Sequence, residues 1–290
     1  MEESQKLKEI VKEKYSKIAL QDKLVNASSC CGATSTSNKV YNIMQDDYSQ
    51  LQGYEAIGDL GLGCGLPTQF AQIKQGDTVL DLGSGAGNDC FVARHETGEK
   101  GKVIGVDFTE TMIAKARENA SKLGFNNVEF RYGDIEDLPV SNDEVDVIVS
   151  NCVLNLVPNK EKVFKEMFRV LKTSGHFSIS DIVLEGDLPE ALRKDAEMYA
   201  GCVSGAIQLR DYLKLIEESG FKNVTIQKKK TISIPDDILQ RYLNETEIAD
   251  FKNGNTGIFS ITVYASKSDK VFDKEVISKK DTCQPGSGCC

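Results

Sequence analysis

Hydrophobic and polar positions follow two different periods along this chain of 290 residues. From Thr78 to Ile182, short apolar runs alternate with longer stretches in which apolar residues recur every three or four positions. The short runs are typical of buried strands, and the longer stretches are typical of amphipathic helices. Alternation of this kind predicts an α/β fold with a mainly parallel, doubly wound sheet. The predicted strands are Thr78–Leu82, Val103–Asp107, Val128–Tyr132, Val145–Asn151, His176–Ile182, Val224–Ile234 and Ile258–Ser266.

Helices are predicted where the longer period prevails. The first covers residues 1–20, in which apolar side chains form one stripe: Leu7, Ile10, Val11, Tyr15 and Ile18. A second helix begins near Asp89 and follows a glycine-rich loop. The remaining predicted helices are Thr109–Leu123, Lys160–Lys172, Pro189–Tyr199, Leu209–Ser219 and Asp236–Thr246.

These elements predict four parts of the chain. Residues 1–75 hold the N-terminal helix and an irregular, cysteine-bearing cap segment. Residues 76–185 form the sheet-and-helix core, and residues 186–268 supply further helices and the closing strands. Residues 269–290 are predicted to be a flexible tail that ends in a Cys-Cys pair.

The net charge, the length of the apolar segments and the numbers of cysteines and histidines argue against several classes of function. A formal net charge of -9 argues against a nucleic-acid surface, because phosphate binding requires clustered cations. No segment approaches the roughly 20 apolar residues that span a bilayer, and residues 1–17 lack an apolar signal-peptide core. We therefore expect a cytoplasmic protein with no membrane partner. Nine cysteines, an odd number, with only two histidines favour reduced thiols over a disulfide framework or a histidine-based site.

One motif favours a nucleotide-like cofactor. The run from Asp81 to Gly87, Asp-Leu-Gly-Ser-Gly-Ala-Gly, joins a predicted strand to a predicted helix, where glycines let a ligand approach the backbone. Asp107 ends the second strand, where a carboxylate can hold both hydroxyls of a ribose. Gly133-Asp134-Ile135-Glu136 ends the third strand, where an acid and backbone amides can frame an adenine. A dinucleotide oxidoreductase with the same topology is an alternative, although it would need a proton donor that the sequence does not supply.

Three cysteines lie in suggestive places. Cys64 sits in the glycine-rich run from Gly61 to Gly65, and Cys152 follows Asn151 at the carboxyl end of the fourth strand. Cys202 lies in Gly201-Cys202-Val203-Ser204-Gly205-Ala206, between two predicted helices. Ligands of open α/β sheets bind at the carboxyl edge, which makes Cys152 a candidate for chemistry. For any one of the three, a small core residue is an equally good interpretation.

Taken together, these motifs resemble two nested families. The glycine loop, with its acid two residues before Gly83, resembles that of class I S-adenosylmethionine methyltransferases. The resemblance implies a Rossmann-like, seven-stranded sheet with helices on both faces and an antiparallel closing strand pair. The three cysteine motifs and the run Asp81–Cys90 resemble those of arsenite methyltransferases, over about residues 25–265. By this resemblance the S-adenosylmethionine contacts are Asp81, Gly83, Ser84, Gly85, Asp107, Met112, Asp134, Ile135 and Asn151.

The resemblance also implies the chemistry. Trivalent arsenic is thiophilic, so thiolates suit it better than oxygen or imidazole ligands. Cys152 and Cys202 would hold the arsenic throughout, and Cys64 would add a third bond for the first methylation. Cys64 with Cys30 or Cys31 would return two electrons by forming a disulfide, which requires thioredoxin or a glutathione-type reductant. We expect arsenite or its thiol conjugates as substrate, no metal cofactor and a monomer.

Three other functions compete with this interpretation. A methyltransferase acting on carbon or oxygen of a small organic acceptor would use the same cofactor and would tolerate replacement of the cysteines. A thiol-rich binding module would be expected to have lost the glycine loop and its acids. A zinc protein is disfavoured because no pair of cysteines has the Cys-x-x-Cys spacing.

Overall fold

Seven strands form a single mixed sheet in the part of the chain that the computed structural model describes, residues 2–21, 46–187, 189, 205–233, 236–253 and 257–268. Their order across the sheet is β3-β2-β1-β4-β5-β7-β6. Strands β1 to β5 pair in parallel, whereas β7 is antiparallel to both β5 and β6. The predicted Rossmann-like sheet with an antiparallel closing pair is confirmed. The strands are β1 Thr78–Leu82, β2 Lys102–Asp107, β3 Val128–Tyr132, β4 Val145–Asn151, β5 Leu171–Glu185, β6 Lys222–Ile232 and β7 Gly257–Ser266.

Helices cover both faces of this sheet. Alternate residues of β1 and β4 point to opposite faces, as a strand requires. Val79 and Val147 enter a core with Phe91, while Leu80 and Ile148 enter a second core. The helices are α1 Glu2–Ala19, α2 Pro67–Phe70, α3 Asn88–Thr97, α4 Glu110–Leu123, α5 Lys160–Val170, α6 Leu209–Glu218, α7 Asp236–Leu239 and α8 Glu245–Asn253.

Two predicted helix boundaries were wrong. The helix predicted as Lys160–Lys172 ends at Val170, because Leu171 is extended and pairs with Val145 as the first residue of β5. The helix predicted as Asp236–Thr246 is divided into α7 and α8. Asn244 and Glu247 form reciprocal side-chain-to-backbone hydrogen bonds of 3.0 and 2.8 Å, a capping box that begins a new helix. The predicted helix Pro189–Tyr199 lies outside the described residues, apart from Pro189.

Helix α1 packs beside the carboxyl edge of the sheet. Ile18 and Ala19 are buried against Leu60 and Met112, which lies in α4. Nearer its N-terminus, Lys8 forms ion pairs with acids that follow β3, described below. The helix therefore reaches the edge at which ligands of open α/β sheets bind. Within the described ranges, no helix combines the length and apolar character required to cross a bilayer.

Candidate active site

A cleft opens at the carboxyl ends of β1, β2, β3 and β4. It encloses about 1060 Å³, including its solvent-open mouth. Its walls come from the loop after β1, from residues 58–63 and from α1, which contributes Lys8 and Tyr15. Most of the residues predicted to contact a cofactor line this cleft: Asp81, Gly83, Ser84, Gly85, Asp107, Asp134, Ile135 and Asn151.

The glycine loop is held open by its backbone. Gly83 and Gly85 have φ values of 68° and 52°, in the left-handed region that favours glycine. The amide of Gly83 donates to the carbonyl of Val106 at 2.8 Å, and the amide of Gly85 donates to Asp107 Oδ2 at 3.0 Å. The loop is thereby tied to the end of β2, and the Asp107 carboxylate is oriented beside it.

Buried carboxylates give the cleft its electrostatic character. Asp81, Asp89 and Asp107 are each at most 7% exposed, and all three line the cleft. Burial raises the pKa of the Asp81 carboxyl well above its usual range and raises that of Asp107 as well. Burial also raises the pKa of Asp89 to about 6, against the opposing effect of hydrogen bonds from Tyr48 and Asn151. Such a cleft favours a cationic ligand, which offsets the cost of ionising the acids.

Two residues that were predicted to contact the cofactor, Met112 and Asp134, have neighbours that the sequence did not indicate. Met112 is fully buried in the cluster beneath α1 and is not among the residues lining the cleft, so its contact with an adenine stays a prediction. Asp134 does line the cleft, but its Oδ2 accepts a hydrogen bond from Lys8 Nζ at 2.6 Å. Lys8 also binds Glu136 at 2.7 Å. The sequence showed the charges of α1 without indicating their partners.

The cysteine end of the site lies next to this cleft. Cys64 and Cys152 form a disulfide with their Cα atoms 5.8 Å apart, although they are 88 residues apart in sequence. Cys152 lines the cleft, and Cys64 is fully buried behind Gly63. The pair is packed in an apolar cluster with buried residues of β5, β6, α7, α8 and β7: Ile182, Leu184, Ile232, Leu239, Ile248 and Ile258.

This arrangement differs from the redox pair expected from the resemblance. In the structure the disulfide partner of Cys64 is Cys152, not Cys30 or Cys31. Cys30, Cys31 and Cys202 lie outside the described residues. The three-cysteine site and the electron-donating pair therefore stay predictions. A further described cysteine, Cys90, is buried in the core, and its Sγ donates to Asp81 Oδ2 at 3.2 Å.

A polar network connects the wall of the cleft to the backbone of Cys64 and Gly65. Asn151 Oδ1 accepts from the amide of Cys64 at 2.9 Å. Asn151 Nδ2 donates to the carbonyl of Gly65 at 2.8 Å and to Tyr48 Oη at 2.5 Å. The Tyr48 hydroxyl lies 2.9 Å from both carboxylate oxygens of Asp89. Neither Tyr48 nor Asp89 was predicted as a site residue, because a lone tyrosine in an irregular segment carries no motif and Asp89 indicated only the start of a helix.

Comparisons with known proteins agree with this geometry. A family model described as "Methyltransferase domain" matches residues 73–230. An arsenite methyltransferase of Halobacterium salinarum is 42% identical over 77% of this chain and 59% of its own. Another, of Aquipseudomonas alcaligenes, is 35% identical over 82% of this chain and 68% of its own. The crystal structure of an arsenic (III) S-adenosylmethionine methyltransferase from Chlamydomonas reinhardtii, 32% identical, superposes with a TM-score of 0.61 over 73% of this chain and 69% of that one.

This chain belongs to the arsenite methyltransferase family. Membership confirms the family resemblance carried by the three cysteine motifs and the glycine loop. The chain spans about three fifths, 59%, of the length of the Halobacterium salinarum family member. Among the described residues, no three histidine, cysteine or acidic side chains converge as ligands for a metal ion.

Proposed function

We propose that this protein transfers methyl groups from S-adenosylmethionine to trivalent arsenic held by its cysteine thiolates. The observation that carries the proposal is the meeting of Cys64 and Cys152 beside an acid-lined glycine-loop cleft. The names of the related proteins support both the methyl donor and the acceptor. Cytoplasmic location and a role in arsenic detoxification are part of the same proposal.

The cleft fits S-adenosylmethionine better than it fits a dinucleotide. The sulfonium and ammonium groups are cationic, whereas the pyrophosphate of a dinucleotide would meet the carboxylates of Asp81, Asp89 and Asp107. The lining also includes Ser84 and Asn88, whose side-chain oxygens are buried with no hydrogen-bond partner among the described residues. A bound ligand can satisfy such groups.

Different residues of the cleft would then bind different parts of S-adenosylmethionine. Gly83 and Gly85 leave room for the methionine part, and the Asp107 carboxylate holds the ribose hydroxyls. Asp134 and Ile135 border the adenine side, and Asn151 and Cys152 border the end nearest the acceptor. When bound, S-adenosylmethionine supplies an electrophilic methyl group.

The cysteines would hold the nucleophile. Three thiolates on As(III) leave a lone pair that attacks the methyl carbon while the carbon–sulfur bond breaks and its electron pair stays on the departing sulfur. No proton is removed, so the site needs no general base. The arsenic is formally oxidised by two electrons, and these return when two thiolates form a disulfide. An external thiol reductant then regenerates the thiols, and it must also open the Cys64–Cys152 disulfide before arsenic binds.

The experiment is methyl transfer from labelled S-adenosylmethionine with arsenite and a dithiol, followed by separation of the arsenic species. Methylated arsenic that appears only when both substrates are present supports the proposal. The Cys152→Ser variant should lose the product, while Cys283→Ser, outside the motifs shared with the family, should retain it. Binding of S-adenosylmethionine without any arsenic product would overturn the acceptor and favour a small organic one.

A further inference from the structure

Side chains of β4 and β7 hold the backbone of Cys64 in place. The amide of Cys64 is bound by Asn151 Oδ1, and its carbonyl accepts from Ser260 Oγ at 2.5 Å. Both polar groups of the Cys64 peptide unit are thus satisfied by side chains of other elements. Cys152 is held from its own side, since its amide donates to the carbonyl of Ser180 at 2.8 Å.

The chemistry of the partners fixes the orientation of the Asn151 amide. The Cys64 amide is only a donor and the Gly65 carbonyl only an acceptor, so oxygen must face the first and nitrogen the second. The second hydrogen of Nδ2 points to Tyr48 Oη. Tyr48 Oη therefore accepts from Asn151 and uses its own proton to donate to the Asp89 carboxylate. The Tyr48 hydroxyl also lies 3.2 Å from the carbonyl of Gly65, and Asn151 Nδ2 lies 3.3 Å from Asp89 Oδ2, so the three side chains form one connected, buried network with the backbone next to Cys64.

Close packing around Cys64 explains why a glycine stands on each side of it. A Cβ on Gly63 would lie 2.7 Å from Asn151 Nδ2. A Cβ on Gly65 would lie 2.6 Å from the Cβ of Ser180. Real Cβ atoms do not approach other heavy atoms this closely, so a side chain at position 63 would displace Asn151 and one at position 65 would displace Ser180. The packing is as specific as the hydrogen bonding.

We propose that Tyr48, Asp89 and Asn151 are positioning residues that set the distance between Cys64 and Cys152. Tyr48 is 2% exposed and Asp89 is 7% exposed, so the hydrogen bonds between them are shielded from water. Tyr48 is far from Asp89 and Asn151 in sequence, yet its hydroxyl contacts both, and Asn151 Nδ2 also reaches Asp89 Oδ2 directly at 3.3 Å. This role rests on the proposed function, in which Cys64 adds the third thiolate that inorganic arsenite requires.

The primary test needs neither arsenic nor S-adenosylmethionine. The reduced full-length protein is equilibrated in glutathione buffers, quenched with acid, and the fraction of Cys64–Cys152 disulfide is measured by differential alkylation and peptide mass spectrometry. Tyr48→Phe removes only the hydroxyl. We expect the effective concentration of the two thiols to fall by about fivefold, the size that corresponds to one buried hydrogen bond.

The chain offers a matched control. Tyr212 is also fully buried, and its hydroxyl donates to a buried carboxylate, Asp181 Oδ2, at 3.3 Å. It lies in the core with Phe164 and does not line the cleft. Tyr212→Phe deletes the same kind of hydrogen bond and should leave the Cys64–Cys152 equilibrium unchanged. An equal fall in both variants, or no fall in Tyr48→Phe, would overturn the proposal.

A second variant perturbs the loop from the opposite side. Gly63→Ala presses a methyl group on the Asn151 amide and leaves Tyr48 intact, so it answers the question if Tyr48→Phe fails to fold. The expected result is again a lower effective concentration, and an unchanged value would contradict the proposal. In methylation assays, both variants should slow the reaction of arsenite more than that of trivalent methylarsenite, which does not need Cys64. If no arsenic is methylated by the wild type, the proposed function fails, whereas the thiol equilibrium still tests the positioning role.

Discussion

The cofactor end and the cysteine end of the site differ in the chemical groups that line them. At the cofactor end, backbone amides, glycines and buried carboxylates line an open cleft. At the cysteine end, two sulfur atoms lie in an apolar cluster formed by β5, β6, β7 and the short helices α7 and α8. Cys152 lines the cleft and belongs to the apolar cluster, and the Asn151–Tyr48–Asp89 network also connects the two ends. In the proposed reaction, a cationic methyl donor and a soft, thiophilic acceptor would each meet the surroundings that suit them.

With the proposed function, this difference would allow one fold to keep its cofactor while the acceptor changes. The cofactor end depends on the sheet itself, since its residues end β1, β2, β3 and β4. The cysteine end combines Cys152, which follows β4, and apolar residues of β5, β6 and β7 with Cys64 and the short helices α7 and α8, which lie outside the sheet. Variants that affect one end and not the other test whether the division is real.

The largest effect is expected from Cys152→Ser. Loss of this thiolate removes a ligand that the proposed reaction needs at every step, and arsenic methylation should fall by about 100-fold or more. The affinity for S-adenosylmethionine, measured by calorimetry, should change little, because the serine hydroxyl preserves the shape of the wall. Loss of cofactor affinity to the same extent would show that the two ends are not separate.

Asp107→Ala tests the cofactor end. The Asp107 carboxylate accepts hydrogen bonds from the amides of Gly85 and Thr109 and would also hold the ribose. We expect the dissociation constant for S-adenosylmethionine to rise by about 10- to 100-fold, as for loss of hydrogen bonds to a charged group. The Cys64–Cys152 thiol equilibrium serves as the control and should be unaffected.

Proton release on cofactor binding should reveal the acids of the cleft. A bound cation favours the ionised form of Asp89, whose pKa is about 6 in the free protein, and therefore lowers that pKa. Protons are then released on binding near pH 6. The affinity for S-adenosylmethionine consequently rises, by up to about tenfold, as the pH increases from roughly 5 to 7.

Calorimetry in buffers of different ionisation enthalpy measures this release. Asp89→Asn should reduce it. Asp181→Asn should not, although burial raises the pKa of Asp181 to about 7, because that carboxyl does not line the cleft. Proton uptake on binding, or an affinity that decreases over this range, would contradict the cationic-ligand interpretation of the cleft.

The smallest effect is expected from Lys8→Met. The ammonium group pairs with Asp134 and Glu136 at the mouth of the cleft, and the lysine side chain is 23% exposed. Such a pair contributes little, so cofactor affinity should fall by about two- to threefold at low salt and remain nearly unchanged at about 1 M salt. Lys17→Met removes an exposed ion pair with Glu13 on the same helix and should have no effect on binding. A large, salt-independent loss for Lys8→Met would mean that this side chain contacts the cofactor itself.

Eight of the nine residues predicted from the sequence to contact the cofactor line one cleft, whereas the pairing of Cys64 with Cys152 was not predicted. The order of strands and helices followed from periodicity, and the residues after β1 and β2 form one short motif each. The backbone geometry of these motifs is determined by residues that are close together in sequence, so a sequence motif can predict it. The predicted helix Asp236–Thr246 was wrong because the capping box of Asn244 and Glu247 outweighs apolar periodicity.

The network at Tyr48 illustrates what a pattern does not contain. Tyr48 is 41 residues from Asp89 and 103 residues from Asn151 in sequence, and no repeating pattern of hydrophobic and polar residues links positions so far apart. The contact exists because parallel strands bring the ends of distant segments to one edge. The pairing of Cys64 with Cys152, 88 residues apart, has the same origin. For Lys8, the residue type indicated a charged surface, while its partners follow from the docking of α1.

The position of α1 has a consequence for the order in which the chain is synthesised. Residues 2–19 leave the ribosome before the sheet does, yet Lys8 meets its acidic partners 126 and 128 residues later in the chain. Until Glu136 has emerged, the nascent helix has no docking place at the mouth of the cleft. This early segment thus completes its ion pairs only after residues 126 and 128 positions later have been synthesised, when β1, β2 and β3 already exist.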